Sequence, residues 1–262
     1  MKILVLIKQV PDTTDVKIDP ETNTLKREGV ESIINPFDMY AIEEALRVKE
    51  RLEEAEVVVI SMGPPQAEAA LREAISMGCD RAVLLSDRKF AGSDTWATSY
   101  TLSQAIKKIG DYKIIFCGKQ ASDGDTAQVG PGVSMHLDVP QVTYVKRIEK
   151  IDADGATVER MTEEGYDIIQ TPLPAVLTVV KEINEPRLPS LKGKMKAKKA
   201  EIPVWTAQDV GCDEEKIGLD GSPTRVVKIF TPPPREGGRV LKGEPDEIAK
   251  ELAGLLKDIA IG

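Results

Sequence analysis

Residue types that carry chemistry in many enzymes are scarce in this chain. Its 262 residues include one histidine, three cysteines and only 4% aromatic residues. A Ser-His-Asp triad could use only His136, which lies in a predicted helix without a partner motif, so we expect a satisfied surface or core side chain there. The cysteines form no Cys-x-x-Cys pair, which argues against a zinc site and a disulfide framework. Cys79 and Cys117 stand among apolar residues and are predicted to be reduced core side chains.

Common nucleotide-binding motifs and long apolar runs are also missing. No GxGxxG follows the first predicted strand, and neither GxxxxGKS nor GxxxxGKT occurs, so a dinucleotide fingerprint and a P-loop are excluded. No apolar run approaches the length of a membrane span, and the N-terminus lacks the regions of a signal peptide. The net charge of −8 argues against general nucleic-acid binding. We therefore expect a cytoplasmic protein with no membrane span and no nucleic-acid partner.

What the sequence does contain is a regular succession of apolar runs and amphipathic segments. Hydrophobic residues make up 41% and charged residues 30% of the chain, as in a soluble globular protein. Apolar runs that predict buried parallel strands cover 3–7, 56–62, 81–86 and 112–117, and a segment of helical periodicity follows each. Strand-and-helix units in succession predict an α/β fold with a doubly wound, mostly parallel sheet.

The pattern changes in the second half of the chain. Strand-like segments at 141–149, 157–161, 166–170 and 175–180 are separated by turn residues and predict an antiparallel hairpin added to the sheet. Pro232-Pro233-Pro234 predicts an extended arm, and an amphipathic helix over 245–259 is expected to dock either on a partner or on its own domain. We predict two domains, an α/β domain over 1–224 and a C-terminal arm and helix over 225–262.

In a doubly wound sheet, ligands bind outside the carboxyl ends of the strands, where the strand order reverses. The stretch from Phe116 to Gly132 stands at such an end and runs from a strand through a glycine-containing loop to a helix start. This layout presents backbone N–H groups and a positive dipole end to a phosphate. Gly124 allows close backbone approach, and the Thr126 hydroxyl can donate to a phosphate oxygen. An ordinary strand-to-helix connection explains the same residues equally well, so both interpretations stay open from the chemistry alone.

Two carboxylates in that loop could be taken for a metal site. Asp123 and Asp125 have the spacing of an Asp-x-Asp pair. We favour helix capping or ribose contacts, because a carboxylate beside a phosphate repels it unless a cation intervenes. No metal site and no catalytic side chain is predicted, and any chemistry would be that of a bound cofactor.

A basic, proline-interrupted loop over 184–200 has three interpretations. A solvated charged face is the default, and nucleic-acid binding is disfavoured because stacking aromatic residues are absent. The third interpretation is a docking loop. Leu188 and Leu191 stand among the lysines as anchors for a partner would, with the lysines attracting an acidic surface.

Several long motifs occur in an order that resembles the β subunit of electron-transfer flavoproteins, and the resemblance extends over nearly the whole chain. The first of these motifs are Lys8-Gln9-Val10-Pro11-Asp12, Ile34-Asn35-Pro36-Phe37-Asp38, Ala41-Ile42-Glu43-Glu44-Ala45, Met62-Gly63-Pro64-Pro65 and Met77-Gly78-Cys79-Asp80-Arg81. The later ones are Gly118-Lys119-Gln120-Ala121, Gly124-Asp125-Thr126-Ala127-Gln128-Val129-Gly130-Pro131, Asn184-Glu185-Pro186-Arg187 and Met195-Lys196-Ala197-Lys198-Lys199.

The resemblance implies a sheet like that of the adenine-nucleotide α-hydrolases, a nucleotide at the carboxyl ends of its strands and an α subunit that carries an exchangeable FAD. It implies nucleotide contacts at Leu6, Asn35, Pro36, Phe37, Asp38, Met62, Gly118, Lys119, Gln120, Ala121, Ser122, Asp123, Gly124, Asp125, Thr126, Ala127, Gln128 and Val129. It also implies a loop that docks on acyl-CoA dehydrogenases, with Leu191, Lys196 and Lys199 as its matching residues. With an α subunit implied, we expect the C-terminal arm and helix over 225–262 to pack on that subunit.

The resemblance leaves two nucleotides to distinguish. Members that only shuttle electrons hold AMP in the β subunit, whereas the segment Asp123 to Pro131 resembles electron-bifurcating members, which hold a second FAD there. Ser122 departs from the usual aliphatic residue. The leading hypothesis is therefore an FAD-holding subunit that, with its α partner, divides electrons from NADH between ferredoxin or flavodoxin and an acyl-CoA dehydrogenase. The alternatives are an AMP-containing shuttle and a stand-alone nucleotide-binding or ATP-hydrolysing protein.

Overall fold

The computed structural model describes residues 1–12, 32–52, 54–152, 154–227, 238 and 240–261, with side chains described as far as residue 257. The chain divides into two units, Met1–Val227 and Lys228–Gly262. The predicted proline-rich arm at Pro232–Pro234 lies outside the described residues. The predicted domain boundary after residue 224 and the role assigned to the second domain stay predictions.

The first unit alternates strands and helices along its amino-terminal half. The strands there are β1 (Lys2–Ile7), β2 (Gln9–Pro11), β3 (Ser32–Ile34), β4 (Glu56–Met62), β5 (Arg81–Leu85) and β6 (Tyr112–Gly118). The helices are α1 (Pro36–Arg51), α2 (Glu68–Met77), α3 (Thr95–Ile109) and α4 (Val129–Leu137). The later elements are β7 (Gln141–Ile151), β8 (Gly155–Met161), β9 (Tyr166–Pro172), β10 (Ala175–Val179), α5 (Leu191–Lys199), β11 (Val204–Trp205) and, in the second unit, α6 (Pro245–Ile261).

Within the described residues, one sheet contains nine strands in the order β11-β5-β4-β1-β6-β10-β7-β8-β9. β1 pairs in parallel with β4 on one side and with β6 on the other. The chain therefore builds outward from β1 through β4 to β5 and then returns across β1 to form β6. This reversal of direction puts a crevice outside the carboxyl ends of β1 and β6. The predicted doubly wound, mostly parallel α/β sheet is confirmed.

Apolar side chains alternate between the two faces of β1 and bind a helical layer to each face. Ile3, Val5 and Ile7 pack with the buried residues of α1 and α2. Leu4 and Leu6 point to the other face and pack with those of α3. Because both faces are covered, the central strands are continuous apolar runs, as expected for a parallel sheet.

One strand lies at a different position in the sheet from the one that the sequence predicts. The sequence predicts that the segment 175–180 belongs to an antiparallel hairpin, but β10 lies between β6 and β7 and is parallel to both. Only β7, β8 and β9 form the antiparallel part. All residues of β10 are buried, and an uninterrupted apolar run of this kind is typical of a strand covered on both faces.

The basic segment 184–200 is not a loop throughout, because its second half is α5. The Ser190 hydroxyl accepts a hydrogen bond from the Gly193 N–H at 2.9 Å and caps the helix. Ala197 is buried where α5 packs on α2, and Arg72 donates to the Ala197 carbonyl at 2.5 Å. Lysine and alanine are good helix formers, and their run after a serine cap is the signal that the loop prediction missed.

The C-terminal unit contains α6, which confirms the predicted helix. Leu252 and Leu256 are exposed. In the parts of the chain that the structure describes, none of the helices is long and apolar enough to cross a membrane.

Gly130 lets α4 approach the neighbouring strands closely, which gives a first prediction. A Cβ on Gly130 would lie 2.6 Å from Thr178 Cγ2 and 2.9 Å from Cys117 Sγ. We expect Gly130→Ala to lower the free energy of unfolding by about 1–3 kcal/mol, because either β10 or the helix must shift. Gly165→Ala is the matched control, since a Cβ there meets nothing within 4 Å. Urea titrations that show equal effects for the two variants would contradict the close packing of α4.

Candidate functional site

A single buried carboxylate joins the ends of β1 and β6. Asp38 lies in the first turn of α1 and is 5% exposed. Its Oδ2 accepts the backbone N–H of Lys8, the residue after β1, at 2.7 Å. Its Oδ1 accepts the N–H of Gly118, the last residue of β6, at 3.1 Å. The α1 helix, β1 and β6 are thereby held together at the crevice.

Burial makes Asp38 an unusual acid. Loss of water raises its pKa from 3.8 to about 7, although the N–H groups of Lys8 and Gly118 and the side chain of Asn35 stabilise the charged form. The carboxyl group that joins the two strands therefore changes charge close to neutral pH.

Gly118 is required by this arrangement. A Cβ at this position would lie 2.5 Å from Asp38 Oδ1 and 2.6 Å from Phe37 Cβ. Any larger residue would separate the end of β6 from α1. Gly118, which the resemblance predicts as a ligand contact, thus has a packing role.

Asn35 holds the loop that follows β6. It is 1% exposed, and its own N–H donates to the Lys8 carbonyl at 2.8 Å. Its Nδ2 donates to the Gln120 carbonyl at 2.8 Å, and its Oδ1 accepts the Ser122 N–H at 3.1 Å. Asn35 occupies the N-cap position of α1 but its side chain does not cap the helix. It fixes the path of the chain beyond Gly118 instead.

The rest of the loop carries the residues predicted at the crevice. Lys8 Nζ lies 2.6 Å from Asp123 Oδ1 and joins the end of β1 to the loop. Thr126 lies beside Thr95, with 3.3 Å between their hydroxyl oxygens, and Ala127 has a φ of 54° just before α4. No side chain caps α4, so its first N–H groups face the end of the loop without a side-chain acceptor in the described structure.

Lys119 and two aromatic rings lie next to the loop. The Lys119 ammonium is 5.6 Å from the centre of the Phe37 ring and 5.1 Å from that of Tyr144. Tyr144 has a φ of 59°. The rings and the ammonium form an amphipathic wall beside the crevice.

A groove of about 350 Å³ adjoins the start of α4. It is lined by Ala127, Gln128, Pro131, Gln141, Val142, Thr143, Tyr144, Arg160 and Ile169. Ala127 and Gln128 belong to the predicted site, whereas Pro131 of α4 and the residues of β7, β8 and β9 do not. The contribution of the strand residues comes from the position of β10, which brings β7 to this side of the sheet.

Some of the residues predicted to contact the nucleotide do not have their side chains at the crevice. Asn35, Asp38, Gly118, Gln120, Ser122 and Asp123 are brought together by the contacts above, and Phe37 and Lys119 lie beside them. Leu6 is 4% exposed and packs in the core against the α3 side, with Met62 against the same cluster. A ligand could meet Leu6 only through its backbone.

The sequence prediction missed three residues at the site. Lys8 directly follows the first predicted strand but is not among the predicted contacts, although a cation at that position is a usable signal. Tyr144 and Thr95 come to the site from β7 and α3, and no local pattern indicated either of them.

The predicted docking residues lie on α5 and differ in their surroundings. Leu191 is 79% exposed, and Met195, one turn further on, is 57% exposed. Lys199 is exposed. Lys196 instead donates to the Cys79 carbonyl at 3.0 Å and lies 3.9 Å from Asp80 Oδ1. Leu191 and Met195 therefore present an apolar strip with lysines on both sides.

An ion-pair cluster anchors the segment before α5. Arg187 Nε lies 2.7 Å from Glu43 Oε2, and its Nη1 lies 2.6 Å from Glu50 Oε1. Burial raises the pKa of Glu43, but hydrogen bonds from Arg187 and Arg47 outweigh it and hold that pKa below its ordinary value. The buried carboxylate stays charged and fixes the segment to α1.

His136 takes no part in these sites. Its ring centre is 4.7 Å from that of Trp96 and 5.6 Å from that of Tyr100. The ring hydrogen-bonds the backbone of Trp96, whereas its Nε2 is buried and has no hydrogen-bond partner among the described residues. The prediction of a satisfied side chain therefore holds only in part. Cys79 and Cys117 are buried free thiols, as predicted.

The raised pKa of Asp38 predicts a pH-dependent stability. Its folded-state pKa of about 7 lies above the ordinary 3.8, so its stabilising contribution is complete below 3.8 and is lost as the pH rises through about 7. We expect the stability of the native protein relative to Asp38→Asn to fall across that interval. Urea unfolding of both proteins at a series of pH values measures it, and a difference independent of pH would contradict it.

Comparison with known proteins identifies the family. The family model described as "Electron transfer flavoprotein domain" matches residues 22–210. The chain is 54% identical over 253 residues to the electron transfer flavoprotein subunit beta of Thermoanaerobacterium thermosaccharolyticum, covering 96% of each chain. It is 53% identical to that of Megasphaera elsdenii, covering 94% of this chain and 93% of the relative. It is 49% identical to the caffeyl-CoA reductase–Etf complex subunit CarD of Acetobacterium woodii, covering 98% of each. The chain therefore belongs to the electron transfer flavoprotein family, as a β subunit that works with an α partner.

Proposed function

We propose that this subunit holds an FAD in the crevice at the carboxyl ends of β1 and β6. With its α subunit, which would carry a second FAD, it would divide electrons from NADH between a low-potential acceptor, ferredoxin or flavodoxin, and an acyl-CoA dehydrogenase. When bound, FAD supplies both one-electron and two-electron redox chemistry. The side chains of this chain bind and orient the cofactor, and none is assigned as an acid or base.

The observation that carries the proposal is the fixed loop between β6 and α4. Asn35 and Asp38 hold its beginning through the Gln120 carbonyl and the N–H groups of Gly118 and Ser122. The loop then leads to the start of α4, whose N–H groups lack a side-chain cap. Backbone donors at a helix start are the groups that bind phosphate in nucleotide sites.

The size of the site supports FAD over AMP. Gly124, Thr126 and Ala127 have small side chains, which leave room in the part of the loop before α4. The groove beside Gln128 adds room beyond the point where the strand order reverses. It is lined in part by the Tyr144 ring and by the aliphatic side chains of Val142 and Ile169. Such a surface suits a flavin ring, which AMP lacks. The similarity to CarD, named as a subunit of a caffeyl-CoA reductase complex, agrees with a partnership with an acyl-CoA-dependent enzyme.

Cofactor composition tests the choice of nucleotide. We expect the purified α–β complex to release one FAD per subunit and no AMP on denaturation, measured by chromatography of the supernatant. NADH should bleach the flavin absorbance of the complex. FAD in the α subunit together with AMP in this chain, and no bleaching by NADH, would establish the electron shuttle instead.

The exposed strip of α5 predicts where the dehydrogenase docks. We expect Leu191→Ala to lower kcat/KM for electron transfer with the acyl-CoA dehydrogenase about tenfold, because an apolar anchor amid lysines is lost. Assembly with the α subunit should not change. Ile168→Ala on β9 is the matched control, since Ile168 is 59% exposed but lies on the far edge strand of the sheet. Equal rates for the two variants would place the docking surface elsewhere.

A further inference from the structure

The ion pair between Lys8 and Asp123 crosses the mouth of the crevice. The backbone of Lys8 is fixed, because its N–H donates to Asp38 and its carbonyl accepts the Asn35 N–H. Its side chain extends from β1 to the loop after β6, with 2.6 Å between Nζ and Asp123 Oδ1. The Lys8 side chain is 49% exposed and that of Asp123 is 18% exposed.

The charges around this loop make the pair sensitive to an anion. Asp123 and Asp125 are carboxylates within a segment that would surround a phosphate, and each of them would repel it. Lys119 is directed to the rings of Phe37 and Tyr144. Of these two lysines, Lys8 is therefore the one whose ammonium contacts an acidic side chain of the loop.

The ammonium of Lys8 can change its partner at small cost. An ion pair this exposed contributes little to stability, since water screens it. A phosphate carries more charge than a carboxylate and offers more acceptor oxygens, so it forms stronger charge-assisted hydrogen bonds. The path of a phosphate to the Lys8 ammonium is open at Gly124. Even a Cβ at that position would be 4.0 Å from Lys8 Nζ.

We propose that Lys8 binds a phosphate of the adenine nucleotide and that Asp123 competes with that phosphate for the same ammonium. Asp123 is then a residue that weakens nucleotide binding, and Lys8 one that strengthens it. This inference rests on the proposed nucleotide-binding function and adds to it a cation and a competing anion. The competition would let the Lys8 ammonium exchange one anionic partner for the other without being left unpaired.

A purely structural role for the ion pair makes the opposite prediction for one of the two residues. If Lys8 and Asp123 only hold the loop in place, removing either one should weaken nucleotide binding to the same extent. If they compete as proposed, removing Lys8 weakens binding and removing Asp123 strengthens it. The sign of the Asp123 effect thus separates the two roles.

The test uses the full-length chain in its α–β complex, with nucleotide removed from the β site, and AMP and adenosine as calorimetric probes. We expect Lys8→Gln to weaken AMP binding at least about tenfold, because a charged hydrogen bond is lost. Adenosine has no phosphate, so its affinity should stay unchanged. Asp123→Asn should strengthen AMP binding, and Lys8→Arg should retain most of it. Lys192→Gln and Asp220→Asn, at exposed positions outside the crevice, are the charge-matched controls.

Each outcome is decisive. Opposite effects of Lys8→Gln and Asp123→Asn on AMP, with adenosine unaffected, support the exchange of partners. Weaker AMP binding by both variants, or equal losses for AMP and adenosine, overturns it. Should Lys8→Gln not fold, Lys8→Arg and Asp123→Asn still decide by the sign of the Asp123 effect. Native complex that takes up neither AMP nor FAD in this subunit refutes the proposed function, whereas uptake of AMP unaffected by Lys8→Gln refutes only this inference.

Discussion

The carboxylate of Asp38 is the interaction on which the site depends. It accepts N–H groups from the residue after β1 and from the last residue of β6, the two strands between which the order of the sheet reverses. A parallel sheet leaves such strand ends without partners beyond the last ladder hydrogen bond. By satisfying both from the first turn of α1, one buried side chain holds the two strand ends and the helix together at the crevice.

Three further polar side chains extend this arrangement outward, from the buried Asn35 to the ion pair of Lys8 and Asp123 at the rim. Asn35 is buried and fixes the start of the loop through the chain at Gln120 and Ser122. Lys8 and Asp123 lie at the rim, where their ion pair meets solvent. Buried polar groups need their partners and hold one geometry, whereas exposed ones exchange partners easily. The inner contacts therefore suit positioning, and the outer pair suits ligand exchange.

The proposed docking surface follows the same principle on another part of the subunit. Glu43 is buried and anchors Arg187 next to α1, while Leu191 and Met195 on α5 remain exposed beyond that anchor. α5 itself packs on α2 through Ala197. A rigid base thus presents an apolar strip, which reduces the loss of conformational freedom when a partner binds.

The fold class and the presence of a loop after the strand over 112–117 were predictable from the sequence, because apolar runs, turn residues and long motifs are local patterns that survive without any tertiary information. The sequence by itself determined that strands and helices alternate and that a glycine-containing loop follows β6. Only the tertiary structure decided that β10 inserts in parallel beside β6, that Asp38 faces two strand ends, and that Lys8 meets Asp123. These contacts join residues that are far apart in the chain. Burial and the geometry of the folded sheet bring them together, and no local periodicity in the sequence indicates such pairs.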